Sequence, residues 1–492
     1  MKRFSFLLML TACSLSAFGQ SADPAIYTLK NKPNLDGELV HYYQLQSNDA
    51  ARAKQLSQES CTLLAQKGLA LRLAQGDTLP DFIINVDQLK KPSPKQIAKI
   101  LEKEFYSGIR PQISVAFEMN VDGYPEFRIP SVVATGNGGV IAIIEARKHH
   151  AADQAENDIL VRVSKDNGAT WGDIIVIDSQ GEASLNNPCA VYVPSTKEVL
   201  LMYQSFPPKT TEGSVDAGFE GDRVVKTYLV KSGDGGDTWS KPEDITRQVK
   251  HKETLSYCSG PGIGVVDGKG RIVMPFNANG ASTWYNYLVI SDDNGKTWKL
   301  TDGRSDYGTN ESQVAWIEND RYLVNARSHR FMEDTSRVAP KGWSPWNFAR
   351  VTRNRANMIV SLPHESDKAQ WHKTEVMENQ PDPTCQGSIL KLHNTKGKPL
   401  LLSNPANQLT FPSEKRGGFH ATPPMRMNGT VKMSYDNGST WTHKKRIYGN
   451  PFTEYQYSVL TDLGNGMVGV IFEANGVIKF ARFSMDWLES KR

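Results

Sequence analysis

Long hydrophobic runs and blocks of like charge are both missing from this 492-residue chain. The apolar run from Phe4 to Leu10 is too short to cross a bilayer as a helix, which takes about 20 apolar residues. The formal net charge is +4 with no lysine or arginine cluster to concentrate it, so neither nucleic acid nor an anionic membrane is implied as a partner. Cysteine is scarce. Beyond Cys13, the residues Cys61, Cys189, Cys258 and Cys385 lie far apart in no metal-ligand spacing. They read as buried thiols rather than as a zinc site or a disulfide framework. Helical periodicity is nearly absent from about Ile113 onward. What remains is an ordinary globular composition, 39% hydrophobic and 22% charged, on a chain long enough for a large β architecture with an appendage.

The start of the chain has a basic pair, Lys2 and Arg3, then the short apolar run, then small residues. This is a secretory pattern over residues 1–19, with Ala17-Phe18-Gly19 as the cleavage site and Gln20 as the first mature residue. Leu10 to Cys13 also resembles a bacterial lipobox, in which Cys13 would be lipidated and the protein held on a membrane. The shortness of the run before Cys13 favours soluble export, to the periplasm or the exterior.

Residues 20–112 differ in texture from the rest. Leu56, Leu63, Leu64, Leu69 and Leu71 recur at helical spacing, and Ser93-Pro94 reads as an N-cap and first helical residue ahead of Ile97, Ile100 and Leu101. A small mixed α/β segment with at least two helices is expected. From residue 113 to 492, short alternating apolar runs such as EVLLMYQS, YLVNARS and GMVGVIFEANG are broken by Gly, Asn and Asp, as in strands joined by tight turns.

Four of those turns repeat. SKDNGATW begins at Ser164, SGDGGDTW at Ser232, SDDNGKTW at Ser291 and SYDNGSTW at Ser434. The last gap is about twice the others, and near its middle Ser361 to Trp371 keeps a serine, an acid and a tryptophan, as in a degenerate fifth copy. Ser and Asp side chains accept backbone hydrogen bonds, Gly supplies positive φ, and Trp packs beneath the turn. A calcium loop of the EF-hand kind is excluded because no helix flanks the motif and no acid stands at the twelfth position. Antiparallel units repeated at intervals point to a propeller.

The repeat resembles the Asp box of the sialidase (neuraminidase) superfamily, whose fold is a six-bladed β-propeller of four-stranded antiparallel blades. Asp boxes also occur in other proteins, so the unrepeated segments carry the functional resemblance. Phe127-Arg128-Ile129-Pro130 resembles the motif that opens the sialidase catalytic domain. Glu145-Ala146-Arg147 followed by Asp153, NESQVAWIENDRYLVNAR, DPTCQGSILKL, MRMNGTVKMSYDNGSTW and YSVLTDL follow in family order over about residues 115–492.

The resemblance implies an exported exo-α-sialidase, retaining, acting on sialylated glycans as a monomer with no cofactor and no metal. Sialic acid carries a carboxylate on its anomeric carbon, and planar guanidinium groups hold such an anion through paired, charge-assisted hydrogen bonds. The family positions assign these to Arg128, Arg327 and Arg426, with Arg416 as a competitor for the third. A carboxylate nucleophile would be repelled by the substrate's carboxylate, whereas a tyrosine activated by a base would not. Tyr457 takes that role by resemblance, with Glu311 as the partner that accepts its proton and Tyr455 as the neighbouring alternative on the same strand face. Asp153 is the family's general acid, with Glu156 and Asp158 as alternatives, and Arg147 and Glu145 line or brace the pocket. His149 and His150 could mimic a metal pair, but adjacent residues on an extended chain face opposite ways. Rival readings are a carbohydrate-binding propeller without hydrolytic activity, and a trans-sialidase or intramolecular trans-sialidase.

Overall fold

The computed structural model describes residues 32–33, 39–65, 71–73, 82–106, 111–120, 122–149, 152–279, 284–328, 354–364, 366–407, 412–414, 419–421, 426–449 and 453–490. The leader with Cys13, together with His150 and Arg416, lies outside the described residues. One compact unit takes in Val40–Tyr106 and a second takes in Ser107–Arg492.

In the first unit, strands Leu71–Leu73 and Phe82–Asn85 both run parallel to Leu39–Gln46. Parallel neighbours need a crossover, and helix Ala50–Ala65 provides one. Helix Pro94–Tyr106 starts as its sequence suggests, with the Gln96 amide donating to Ser93 Oγ at 3.3 Å. Leu56, Leu64, Ile97 and Leu101 meet Leu45, Ile84 and Val86 in one apolar cluster. The helical pattern expected through Leu71 stops earlier. Helix Ala50–Ala65 ends first, Leu69 is outside the described residues, and Leu71 instead opens a strand beside His41.

The second unit is an all-β propeller. Among the described residues, four blade-sized sheets of four or five strands stand separately, not six. The expected division into six separate blades is corrected by one nine-stranded sheet, in which Glu126–Gly136, Gly139–Arg147, Asn157–Ser164 and Ile175–Asp178 join Ser184–Val193, Glu198–Phe206, Lys226–Ser232 and Glu243–Asp244. The join is a single parallel pairing of Ser184 with Asn157. The last sheet contains Ser458–Gly464, Met467–Ala474, Val477–Ser484 and, paired antiparallel to the third of these, Gln112–Glu118 from the beginning of the unit. Strands buried on both faces read as continuous apolar runs, as in Gly139–Arg147, where eight of the nine residues are buried.

Each repeated turn follows the third strand of its array and closes on itself. Ser291 Oγ accepts from the Gly295 amide at 2.8 Å, while Asp293 accepts from the Thr297 amide at 2.9 Å and from Thr297 Oγ1 at 2.6 Å. The same bonds recur from Ser164, Ser232 and Ser434. At Gly168, with φ +79°, an added Cβ would lie 2.2 Å from the Phe480 ring, so glycine is required twice over. Trp171 packs edge-on against Phe480 and donates Nε1–H to Ser114 Oγ, tying this turn to the last sheet.

At the opposite ends of the strands the regular ladder breaks. Register shifts fall between Arg128 and Ser131, between Asn186 and Cys189, and between Thr309 and Ser312, each in the first strand of an array. A bulge re-aims the side chains around it. Ile129 has φ +57°, a strained value for a β-branched residue, and its amide donates to Glu473 Oε1 at 2.7 Å.

Candidate active site

These irregular strand ends line a pocket of about 650 Å³, its open mouth included, bounded by Ile129, Glu145, Arg147, Asp153, Glu212, Glu311, Arg327 and Tyr457 among others. Tyr457 immediately precedes strand Ser458–Gly464, and its hydroxyl donates to Glu311 Oε1 at 2.5 Å. The other oxygen of Glu311 accepts from Arg327 Nη1 at 2.9 Å. Burial pushes the Tyr457 hydroxyl well above its ordinary pKa and Glu311 adds to this, while Arg327 and Arg426 oppose it. The phenol is therefore not an anion at rest, and its proton is directed at the Glu311 carboxylate.

Two further arginines converge on the same ring. The guanidinium of Arg128 lies 5.5 Å and that of Arg426 5.2 Å from the centre of the Tyr457 ring. Gln456 Oε1 accepts from both, at 3.5 Å from Arg128 and 3.2 Å from Arg426. Arg426 also donates to the Thr384 carbonyl at 3.3 Å, and Glu473 pairs with Arg128 at 3.0 Å. Burial opposes the charge of Arg128 and Arg327, but Glu473 and Glu311 outweigh it and raise both above the ordinary arginine pKa. Arg426 lies ahead of strand Gly429–Ser434 rather than on it, because the ladder there begins only after a lone bridge of Met427 with Glu454.

Arg147 is buried and holds two carboxylates through Nη2, Glu145 at 3.1 Å and Asp153 at 3.2 Å. Burial pushes the Glu145 carboxyl up to about 7, against Arg147 and the Asn187 amide, which donates to it at 2.7 Å. Asp153 is 74% exposed at its side chain, so it is within reach of solvent and of anything entering the pocket. Its backbone carbonyl accepts from Asn186 Nδ2 at 2.8 Å and from Asn157 Nδ2 at 3.3 Å, which pins the loop that carries it.

The structure separates the alternatives left open by the sequence. Asp158 is buried away from the pocket between Tyr124 and Lys148, and Glu156 pairs with His149. Tyr455 is not on the face of Tyr457, since the backbone bonds to Glu473 run back only to Gln456 and the Tyr455 amide donates instead to the Arg426 carbonyl. Its ring stacks on Phe472 and its hydroxyl meets Ser403 Oγ at 2.7 Å. Cys189, Cys258 and Cys385 are buried free thiols and Cys61 is half-buried, with no metal-binding group of His, Cys, Asp or Glu among the described residues.

Sequence reasoning missed Gln456, Glu473 and Glu212. Glu473 had a signal, because an acid ending the apolar run GMVGVIFEANG must find a cation once buried. Gln456 had none beyond its place between two tyrosines. Glu212 follows strand Glu198–Phe206, and burial together with Glu311 and Asp153 pushes its carboxyl up to about 7 against Arg327.

Comparison with known proteins places the chain and its fold. Residues 141–470 match the BNR repeat-like domain family. The chain is 26% identical over 385 residues to a sialidase of Micromonospora viridifaciens, covering 75% of this chain and 53% of that protein, so it spans about half the relative's length. The fold is similar to that of the Hadza microbial sialidase Hz136, with a TM-score of 0.62 at 23% identity over 75% of this chain and 67% of the other. It is also similar to the intramolecular trans-sialidase from Ruminococcus gnavus, with a TM-score of 0.58 at 17% identity over 77% of this chain and 98% of the other.

Proposed function

The chain belongs to the bacterial sialidase family of BNR-repeat proteins, and from that premise we propose that it is an exo-α-sialidase, a retaining glycoside hydrolase that removes terminal sialic acid from glycoconjugates. The observation that carries the reading is the Tyr457–Glu311 hydrogen bond inside a cage of Arg128, Arg327 and Arg426. A neutral nucleophile paired with a base, amid three cations, suits a substrate that bears a carboxylate on its reacting carbon.

In this mechanism the arginines hold the substrate carboxylate. Tyr457 Oη attacks the anomeric carbon as Glu311 accepts the phenolic proton, and Asp153 delivers a proton to the departing glycosidic oxygen. Water, deprotonated by Asp153, then displaces the tyrosyl oxygen, which recovers its proton from Glu311. Two displacements give net retention.

The test is release of fluorophore from a fluorogenic α-sialoside by wild type and by Tyr457→Phe, with the sugar product identified by NMR. Release of free sialic acid, first as the α-anomer, by wild type alone is the expected result. No release from pH 4 to 9 with sialic acid still bound would reassign the protein to carbohydrate binding, and an anhydro sugar as product would reassign it to intramolecular transfer.

A further inference from the structure

Among the described carboxylates that line the pocket, all but one pair with a cation. Asp153 and Glu145 share Arg147, Glu311 has Arg327, and Glu473 has Arg128. Glu212 lines the same pocket beside Phe206, Cys258 and Asn277, and among the described residues it takes part in no hydrogen bond or ion pair. A pocket-lining carboxyl left bare by the protein has its hydrogen-bonding capacity free for a ligand.

The segment that carries it is held in place. Thr210 Oγ1 donates to the Pro207 carbonyl at 2.7 Å, the Thr211 amide donates to Ser214 Oγ at 2.7 Å, and the Ser214 amide donates to the Thr211 carbonyl at 2.9 Å. Val215, directly after, is buried in the neighbouring apolar cluster. Glu212 therefore sits on a turn fixed on both sides. The charged groups that act on it are Glu311, Asp153 and Arg327. The Cys258 thiol, raised by burial, stays neutral.

We propose that Glu212 is a substrate-binding and specificity-determining residue of this pocket, its carboxyl exchanging hydrogen bonds with a hydroxyl of the bound sugar acid. This rests on the sialidase reading and deepens it. Burial first, and then the nearby Glu311 and Asp153, push the Glu212 carboxyl up to about 7, so that it is mostly protonated in mild acid. In that form it donates as well as accepts, which matches a hydroxyl and adds no negative charge to repel the substrate's carboxylate. Above that pH it becomes acceptor-only and charged, and binding weakens.

The hydroxyl belongs either to the ring or to the polyol tail, and substrate analogues tell them apart. The experiment measures kcat and KM for wild type, Glu212→Gln and Glu212→Ala on a fluorogenic α-sialoside, on the same substrate with its tail shortened, and on the 4-deoxy form, from pH 5 to 8. Glu212→Ala is expected to raise KM about 3- to 10-fold with kcat little changed, the size of one hydrogen bond. Glu212→Gln, uncharged at every pH, is expected to keep the wild-type KM at pH 6 and to lose the rise in KM that wild type shows between pH 6 and 8. The analogue for which wild type and Glu212→Ala become equal identifies the hydroxyl. Unchanged KM in both variants at all pH values, or an equal penalty on all three substrates, overturns the proposal. Wild type that neither cleaves the sialoside nor binds sialic acid by ligand-observed NMR removes the sialidase reading and this inference with it. Wild type that cleaves normally beside silent Glu212 variants removes this inference alone.

Discussion

The two ends of the strands use polar residues in opposite ways. In the repeated turns, serine, aspartate and threonine satisfy one another within four residues of sequence, as from Ser164 to Gly168 and from Asp166 to Thr170. Around Tyr457, partners come from far away: Tyr457 and Glu311 are 146 residues apart, Arg128 and Gln456 are 328, and Ile129 and Glu473 are 344. The turns are locally complete and repeat. The pocket concentrates buried charge, a strained Ile129 and a bare carboxyl, arrangements that persist only where the surrounding sheet over-determines them. Polar chemistry that closes on itself stabilises the fold, whereas polar chemistry held open is available to a substrate.

The comparison is broken most severely at Tyr457. Tyr457→Phe removes the hydroxyl proposed as the nucleophile and leaves the ring between its arginines, so sialoside cleavage should fall at least about 10³-fold while the melting temperature shifts by about 2 °C or less. A large loss of stability instead would make Tyr457 a structural residue like those of the turns. The next effect is at Arg426, whose guanidinium spans Gln456 and the Thr384 carbonyl. A lysine cannot reproduce that planar fork. Arg426→Lys should lower kcat/KM about 10- to 100-fold, the worth of one or two charge-assisted hydrogen bonds.

How much of this could be read in advance follows the same divide. The turns were legible because Ser, Asp, Gly, Thr and Trp stand at constant spacing and their bonds are local. Arg128, Asp153, Glu311, Arg327, Arg426 and Tyr457 were reached through resemblance, since nothing in their local sequence says that strands so far apart will meet. Tyr455 and Tyr457 show the limit of periodicity, because the backbone ladder changes partner between them and the two rings go to different places. The count of separate blades was missed for a related reason, as one backbone pairing at Ser184 leaves no trace in side-chain pattern. Leu71 was assigned to a helix because apolar spacing alone does not register where a helix gives way to a strand.

On the turn side, Asp293→Ala should leave cleavage unchanged and cost about 1–2 kcal/mol of stability, the loss of several bonds to one carboxylate. Burial pushes the Asp293 carboxyl up, but the bonds from Thr297, Ser291 and Lys296 outweigh it and hold it at about 2. A carboxyl lowered in the folded state stabilises above the ordinary carboxylate range and loses that contribution as pH falls toward 2. Thermal melting should therefore show wild type and Asp293→Ala converging in acid and separating at neutral pH. A gap that persists at pH 2 would mean that packing, not the carboxylate, supports the turn.

The smallest effect is expected where the repeat decays. Ser361 ends the third strand of its array just as Ser291 does, but among the described residues its Oγ meets only the exposed His372 ring at 3.1 Å. The segment after it is held from outside. Leu362 donates to the Asp320 carbonyl at 2.8 Å, Ala369 donates to the Asp302 carbonyl at 2.8 Å, and the Pro363 carbonyl accepts from the buried Arg271 at 2.9 Å. Neighbouring chain has replaced the internal Ser–Asp–Thr network. Ser361→Ala should thus stay within about 0.5 kcal/mol of wild type in denaturant unfolding, against about 1 kcal/mol for Ser291→Ala. Equal costs at the two positions would mean that a serine at the strand end matters for its place in the register, and that the local network is not what distinguishes the turns from the pocket.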